Sequence, residues 1–240
     1  MKIGYKLLAC AFSIATISGS ALADPVVLNF EGINANYPSG FAFVNNFYNG
    51  GTSSDGTTGT NYGITFSSNA QAICLNTPGV SCSNTSRGGL GDPNSQKGGL
   101  FFLSGANTFM DDPGGFTTGF SLFYTAIIDP GSLSVYSGLD GTGTLLASLS
   151  LPTTPSNCSG TYSAGFCPFS PVGVSFAGTA KSISFAGVAN QIVFDDVTFG
   201  SVTPGQPPPS GTPEPSSLIM MLTGAGAGIR QFRRYMAARA

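Results

Sequence analysis

Few residues in this chain can carry chemistry. It has no histidine and no tryptophan, and only five cysteines, eleven carboxylates and nine basic residues. Without an imidazole there is no Ser-His-Asp or Cys-His pair and no histidine metal ligand, which removes most hydrolase mechanisms. A glycosidase would need two carboxylates facing each other across a cleft. The adjacent pairs Asp111-Asp112 and Asp195-Asp196 cannot serve alone, because neighbours on a strand point to opposite faces. On that alternation, one of Asp195 and Asp196 faces solvent and the other accepts backbone N–H groups at the end of its strand. The expectation is a protein that is not an enzyme.

The cysteines have to be read with the start of the chain, MKIGYKLLACAFSIATISGSALADP. Lys2 and Lys6 precede an apolar stretch that ends in Ala21-Leu22-Ala23. This is the order of a secretory signal peptide, an N-terminal signal helix over residues 1–23 cut between Ala23 and Asp24. In an exported chain, Cys74 with Cys82 and Cys158 with Cys167 read as two local disulfides. The closed segments CLNTPGVSC and CSGTYSAGFC hold the Gly or Pro that such loops need. Each bridge would add roughly 2–3 kcal/mol through loop entropy. A metal-thiolate site is the alternative, but the spacing is not CxxC and no histidine assists.

The elements that must position these groups are strands. Residues 24–200 are long enough for one sizeable core. They carry Arg87, Lys97 and Lys181 against ten acids, so the body is acidic although the whole chain is near neutral at −2. An acidic surface without basic clusters repels phosphate backbones, which excludes nucleic acid as a partner. β-Branched and aromatic runs at 25–31, 41–48, 62–67, 99–104, 116–125, 132–137, 144–151 and 191–199 are separated by Gly/Ser/Thr loops. Alternation is plain in Leu133-Ser134-Val135-Tyr136 and Ser182-Ile183-Ser184-Phe185, as in half-buried strands. Asp140-Gly141-Thr142-Gly143 has hairpin-turn chemistry. The fold class is all-β, a jelly-roll-like β-sandwich over residues 24–200. SVTPGQPPPSG supplies a Pro/Gly/Ser-rich linker over 201–211, extended and semi-rigid.

Residues 212–240, TPEPSSLIMMLTGAGAGIRQFRRYMAARA, are ordered like a membrane signal. Pro213, Glu214 and Pro215 come first, then an apolar run, then Arg230, Arg233, Arg234 and Arg239 to stop at the cytoplasmic face. The prolines exclude helix around Glu214 and present it extended. The apolar stretch, a short transmembrane helix over 217–229, is well below the ~20 residues that span a bilayer. It suits a transient pause better than a permanent anchor.

With the signal peptide and linker, this tail resembles the PEP-CTERM sorting signal of exported Gram-negative proteins. The resemblance implies recognition and cleavage near the motif by an exosortase, a membrane transpeptidase-like enzyme. It also implies export machinery and, transiently, the inner membrane as partners, with the cell surface or an extracellular polysaccharide matrix as destination. This copy departs from the pattern in its Gly/Ala-rich apolar segment. The body resembles the jelly-roll domains of carbohydrate-binding modules, whose first and last strands pair and some of which hold structural calcium at that seam. By that resemblance Glu31, Asp195 and Asp196 are the candidate Ca2+ ligands. Three functions follow: a non-enzymatic surface or matrix protein, a lectin-like glycan binder with calcium support, and a hydrolase acting on matrix polysaccharide. Tyr37, Tyr48, Tyr62 and Tyr136 are the candidate aromatic platforms for a glycan.

Overall fold

Short β-branched and aromatic runs bounded by Gly, Asn, Asp and Ser turns become strands. The computed structural model describes residues 25–35, 41–75, 97–105, 107–126, 128–154, 169–185 and 192–205, and among these there are twelve strands and no helix. They form two antiparallel sheets. The larger holds β1 (Val26–Leu28), β2 (Phe41–Phe43), β4 (Ala70–Cys74), β5 (Gly98–Phe102), β7 (Gly119–Ala126), β10 (Ser170–Ser175) and β12 (Ile192–Phe199). Its order is β10-β7-β12-β5-β4-β2, with β1 paired to β12. The smaller holds β3 (Thr65–Phe66), β6 (Phe109–Phe116), β8 (Gly131–Tyr136), β9 (Leu145–Leu151) and β11 (Ala180–Ser184), in the order β3-β6-β11-β8-β9.

The core lies between the two inner faces. Leu28, Leu100, Phe102, Phe120, Leu122 and Phe194 come from the larger sheet, and Met110, Leu133, Val135, Leu149 and Ile183 from the smaller. Aromatic edges lock it: Phe116 and Phe199 have ring centres 4.9 Å apart at 71°, a favoured edge-on geometry. The outer face of the larger sheet is buried too. Ile73, Leu75, Phe101, Phe169 and Val193 form a second cluster there. Strands buried on both faces lose the two-residue alternation, which is why β4, AQAIC, did not read as a strand. β6 and β10 were missed for another reason. FMDDPGGF and SPVGVS each contain proline and glycine, which weaken a strand signal and belong at edges and irregularities. β10 is an edge strand, and the β6–β11 ladder shifts register between Ala180 and Ser182. The run expected over 41–48 stops at Phe43, and Asn45 turns the chain at φ +47°.

The segments expected to form a signal peptide, the linker beyond Gly205 and a short transmembrane helix in the tail over 212–240, together with Cys82, Cys158 and Cys167, lie outside the described residues. Cys74 is disulfide-bonded.

Candidate functional site

The carboxylates singled out by sequence sit where β12 changes partners. One edge of β12 follows β7, from Ile192↔Ala126 to Phe199↔Phe120. The other edge meets β5 at Phe194↔Leu100 and then β1 from Val197↔Leu28 to Phe199↔Val26. Asp195 and Asp196 occupy the changeover, in a register shift between Asp195 and Thr198. Asp196 is left-handed at φ +44°, as bulge residues with a short polar side chain can be. Asp195 is 0% exposed and Asp196 2%. The expectation that one of them faces solvent is therefore corrected, because the bulge abolishes the alternation on which it rested. Asp195 Oδ1 accepts the Asp196 N–H at 2.8 Å, and Thr198 Oγ1 donates to the Asp196 carbonyl at 2.7 Å.

Glu31 reaches this fork from the other side. After β1 the chain turns at Phe30, whose φ is +55°. That residue is held by its buried ring, edge-on to Tyr48 at 5.9 Å, and by donating its N–H to Tyr48 Oη at 2.9 Å. The turn delivers Glu31 to the start of β5, where Oε1 accepts the N–H groups of Lys97 (2.7 Å) and Gly98 (3.0 Å). A carboxylate receiving two backbone donors is a strong staple. It ties the end of β1 to the beginning of β5 across the gap where both leave β12. Tyr48, one of the expected aromatic platforms, is thus a core residue, 4% exposed. Tyr62 is 41% exposed, Tyr136 is half-buried, and Tyr37 lies outside the described residues.

Calcium needs several convergent oxygen ligands. Among the described residues, no three Asp, Glu, Cys or His side chains gather closely enough to hold a metal ion. Glu31 and Asp195 each place a carboxylate oxygen on backbone N–H groups. The three acids meet at one fork of the larger sheet.

A second carboxylate arrangement was not visible in sequence. The turn between β8 and β9 folds back over β6 and β11. Asp140 takes φ +53° and donates its N–H to Asp111 Oδ1 at 2.8 Å. Ser182 Oγ accepts the Gly141 N–H at 3.0 Å and donates to the Gly138 carbonyl at 2.6 Å. Burial pushes the Asp111 carboxyl above the usual aspartate range. The Asp140 N–H pulls it down, and the Asp140 charge pushes it up again. Such a raised carboxyl can mark a catalytic acid, but this one caps a hairpin turn. Compared with known proteins, the chain matches no family model and no curated protein.

The sign of the Asp111 shift fixes a stability prediction. A carboxyl whose folded pKa is raised adds stability fully present below the unfolded value, about 3.9, and lost as pH rises through the folded one. Asp111→Asn keeps an oxygen to accept the Asp140 N–H and removes the charge. The variant should melt a few degrees above wild type at pH 7, with the difference vanishing below about pH 4. Melting curves by circular dichroism at both pH values check this; a variant less stable at pH 7 would contradict it.

The exit of the chain from the body is also built. Beyond β12, residues 201–205 cross the outer face of the larger sheet over β7 and β10. Ser121 Oγ donates to the Ser201 carbonyl, and Ser201 Oγ accepts the Thr203 N–H, both at 3.0 Å. Thr198 Oγ1 accepts the Gly205 N–H at 3.0 Å. Pro204 is buried. The strap fixes the point from which the Pro/Gly/Ser linker leaves.

Proposed function

We propose that this chain is a non-enzymatic exported protein whose all-β body is cargo for a C-terminal sorting signal. The tail inserts transiently, with Arg230, Arg233 and Arg234 at the cytoplasmic face. An exosortase-type transpeptidase reads the Pro213-Glu214-Pro215 element, and the body is released to the cell surface or an extracellular polysaccharide matrix. The observation that carries this reading is the order of residues 212–240: breaker motif, apolar segment, arginine cluster, behind a proline-rich linker. A folded body that ends in a fastened strap, followed by a Pro/Gly/Ser-rich sequence, suits cargo for a membrane enzyme. The pairing of the first described strand with the last supports the jelly-roll reading of the sandwich.

Intact-mass spectrometry of the protein recovered from the envelope or medium tests this. The expected species starts at Asp24 and ends near the motif, without Arg239. Exported protein that keeps Arg239 would overturn the reading.

Glycan binding by the body is the second reading. A polysaccharide matrix is rich in hydroxyls, and so is one face of this sandwich.

A further inference from the structure

We propose that the outer face of the smaller sheet, over β8 and β9, is a contact surface for a neutral polysaccharide. This rests on the glycan-binding reading and is independent of the sorting reading. The face is a lattice of serines set by the strand register. Ser132 lies opposite Ser150, and Ser134 lies opposite Ser148 on one side and Ser184 on the other. In the next row Tyr136 lies between Ser182 and Leu145. Leu133, Val135, Leu149, Leu151 and Ile183 alternate with these residues and point into the core, so the serines lie on the opposite face, where Ser132, Ser134, Ser148 and Ser150 are exposed or half-buried and Ser182 and Ser184 are buried. Strand geometry spaces them by about 4.8 Å across the sheet and about 6.8 Å along it.

Three features separate this surface from an ordinary solvent face. First, among the described residues Ser132, Ser134, Ser148 and Ser150 have no side-chain hydrogen-bond partner. Each therefore keeps a free donor and free acceptors. Second, the face is asymmetric. The β8–β9 turn folds over its β11–β6 half, with Gly141 packed on the Phe109 ring and Ser182 and Asp111 holding the turn. The β8–β9 half is left as an open shelf beside that wall. Third, the shelf ends in the half-buried ring of Tyr136 and in Leu145, 52% exposed.

Regular free hydroxyls ending in an aromatic and an aliphatic side chain match the two surfaces of a sugar ring, its hydroxyl edge and its C–H face. No charged residue stands among Ser132, Ser134, Tyr136, Leu145, Ser148 and Ser150, and the carboxylates of Asp140 in the adjoining turn and Asp111 in β6 would repel an acidic polymer. A neutral chain is therefore favoured over an anionic one. Single contacts of this kind are weak, and repetition along a polymer supplies the avidity. Because no ion pair is formed, salt should matter little.

Affinity electrophoresis of the full chain in native gels containing hydroxyethyl cellulose, dextran or alginate tests the assignment. The expected result is retardation by a neutral polymer, unchanged by 0.5 M salt or EGTA, and none by alginate. Ser134→Glu with Ser148→Glu should weaken retardation at least tenfold, whereas Ser148→Thr retains it. Unchanged melting curves keep the double variant interpretable, since the exposed or half-buried positions tolerate polar exchange. If the folded double variant is retarded as strongly as wild type, this face is wrong and glycan binding survives elsewhere. If no neutral polymer retards the wild type, both the face and the glycan reading fall. Retardation by alginate as strong as by the neutral polymers would also overturn the proposal.

Discussion

Replacing Phe185 by alanine should cost about 3–5 kcal/mol of folding stability, the range for removing a fully buried aromatic ring. Phe185 follows β11 of the smaller sheet and is 0% exposed. Its ring lies 5.1 Å from Phe102 of β5 and 5.1 Å, edge-on at 69°, from Phe194 of β12. It is the side chain by which one sheet grips the centre of the other, and its N–H is donated to the Thr108 carbonyl at 2.8 Å. Alanine would leave a cavity between two aromatic partners that are themselves held in register, so little collapse can refill it. With native stabilities of about 5–15 kcal/mol, the variant would lose a large fraction of the total. A urea titration reads this as a lower midpoint at unchanged slope. Phe41→Ala is the control: Phe41 is 43% exposed on the edge strand β2, and its loss should stay within about 0.5 kcal/mol. Equal midpoint shifts for the two variants would mean that the core is not centred where the rings place it.

What the sequence could tell depended on which faces a strand buries. β8 and most of β9 have one wet face and one buried face, and their Ser/apolar alternation is legible from residues alone; β11 alternates in the same way although both of its serines are buried. β4 has every residue buried, so it presents no period to detect. The fork was half legible. Glu31, Asp195 and Asp196 lie beside the β1–β12 seam, as their places in the first and last strand runs suggest. What each would do there was not visible, because the bulge that buries both aspartates depends on β12 switching from β5 to β1. Changes of partner leave no mark in local composition. The Asp111–Asp140 contact shows the same limit, since it joins a strand to a turn lying on a different hairpin. The serine shelf was nearer to hand. SLSVY, SLSL and SIS repeat serine at every second position, but only the pairings Ser132↔Ser150 and Ser134↔Ser148 join two of the stripes into one exposed surface, with the serines of SIS buried beside it.

Gly173→Ala tests whether the strap governs how the linker leaves the body. Gly173 of β10 lies opposite Ser121 of β7, and together with Gly119 it forms a shallow trough under residues 201–202. A Cβ at Gly173 would stand 2.1 Å from the Val202 carbonyl oxygen, 2.8 Å from its carbon and 3.0 Å from the Ser121 Cβ. The first two obstacles are backbone, so the strap itself has to lift. Lifting it breaks the Ser121–Ser201 bond and uncovers Pro204, at an overpacking cost of about 1–3 kcal/mol. Most of that cost is local, because Val202 is 49% exposed and lies outside the core. Hydrogen exchange should therefore show a loss of protection at the amides of Thr203 and Gly205, while the amides of β7 and β12 stay close to wild type. Limited proteolysis should move its innermost cut from beyond Gly205 back toward Gly200. The last fastened point of the body would then move back toward Gly200, with the body still folded. If instead the whole sandwich loses protection uniformly, the strap is a cooperative part of the domain and not a separable exit clamp.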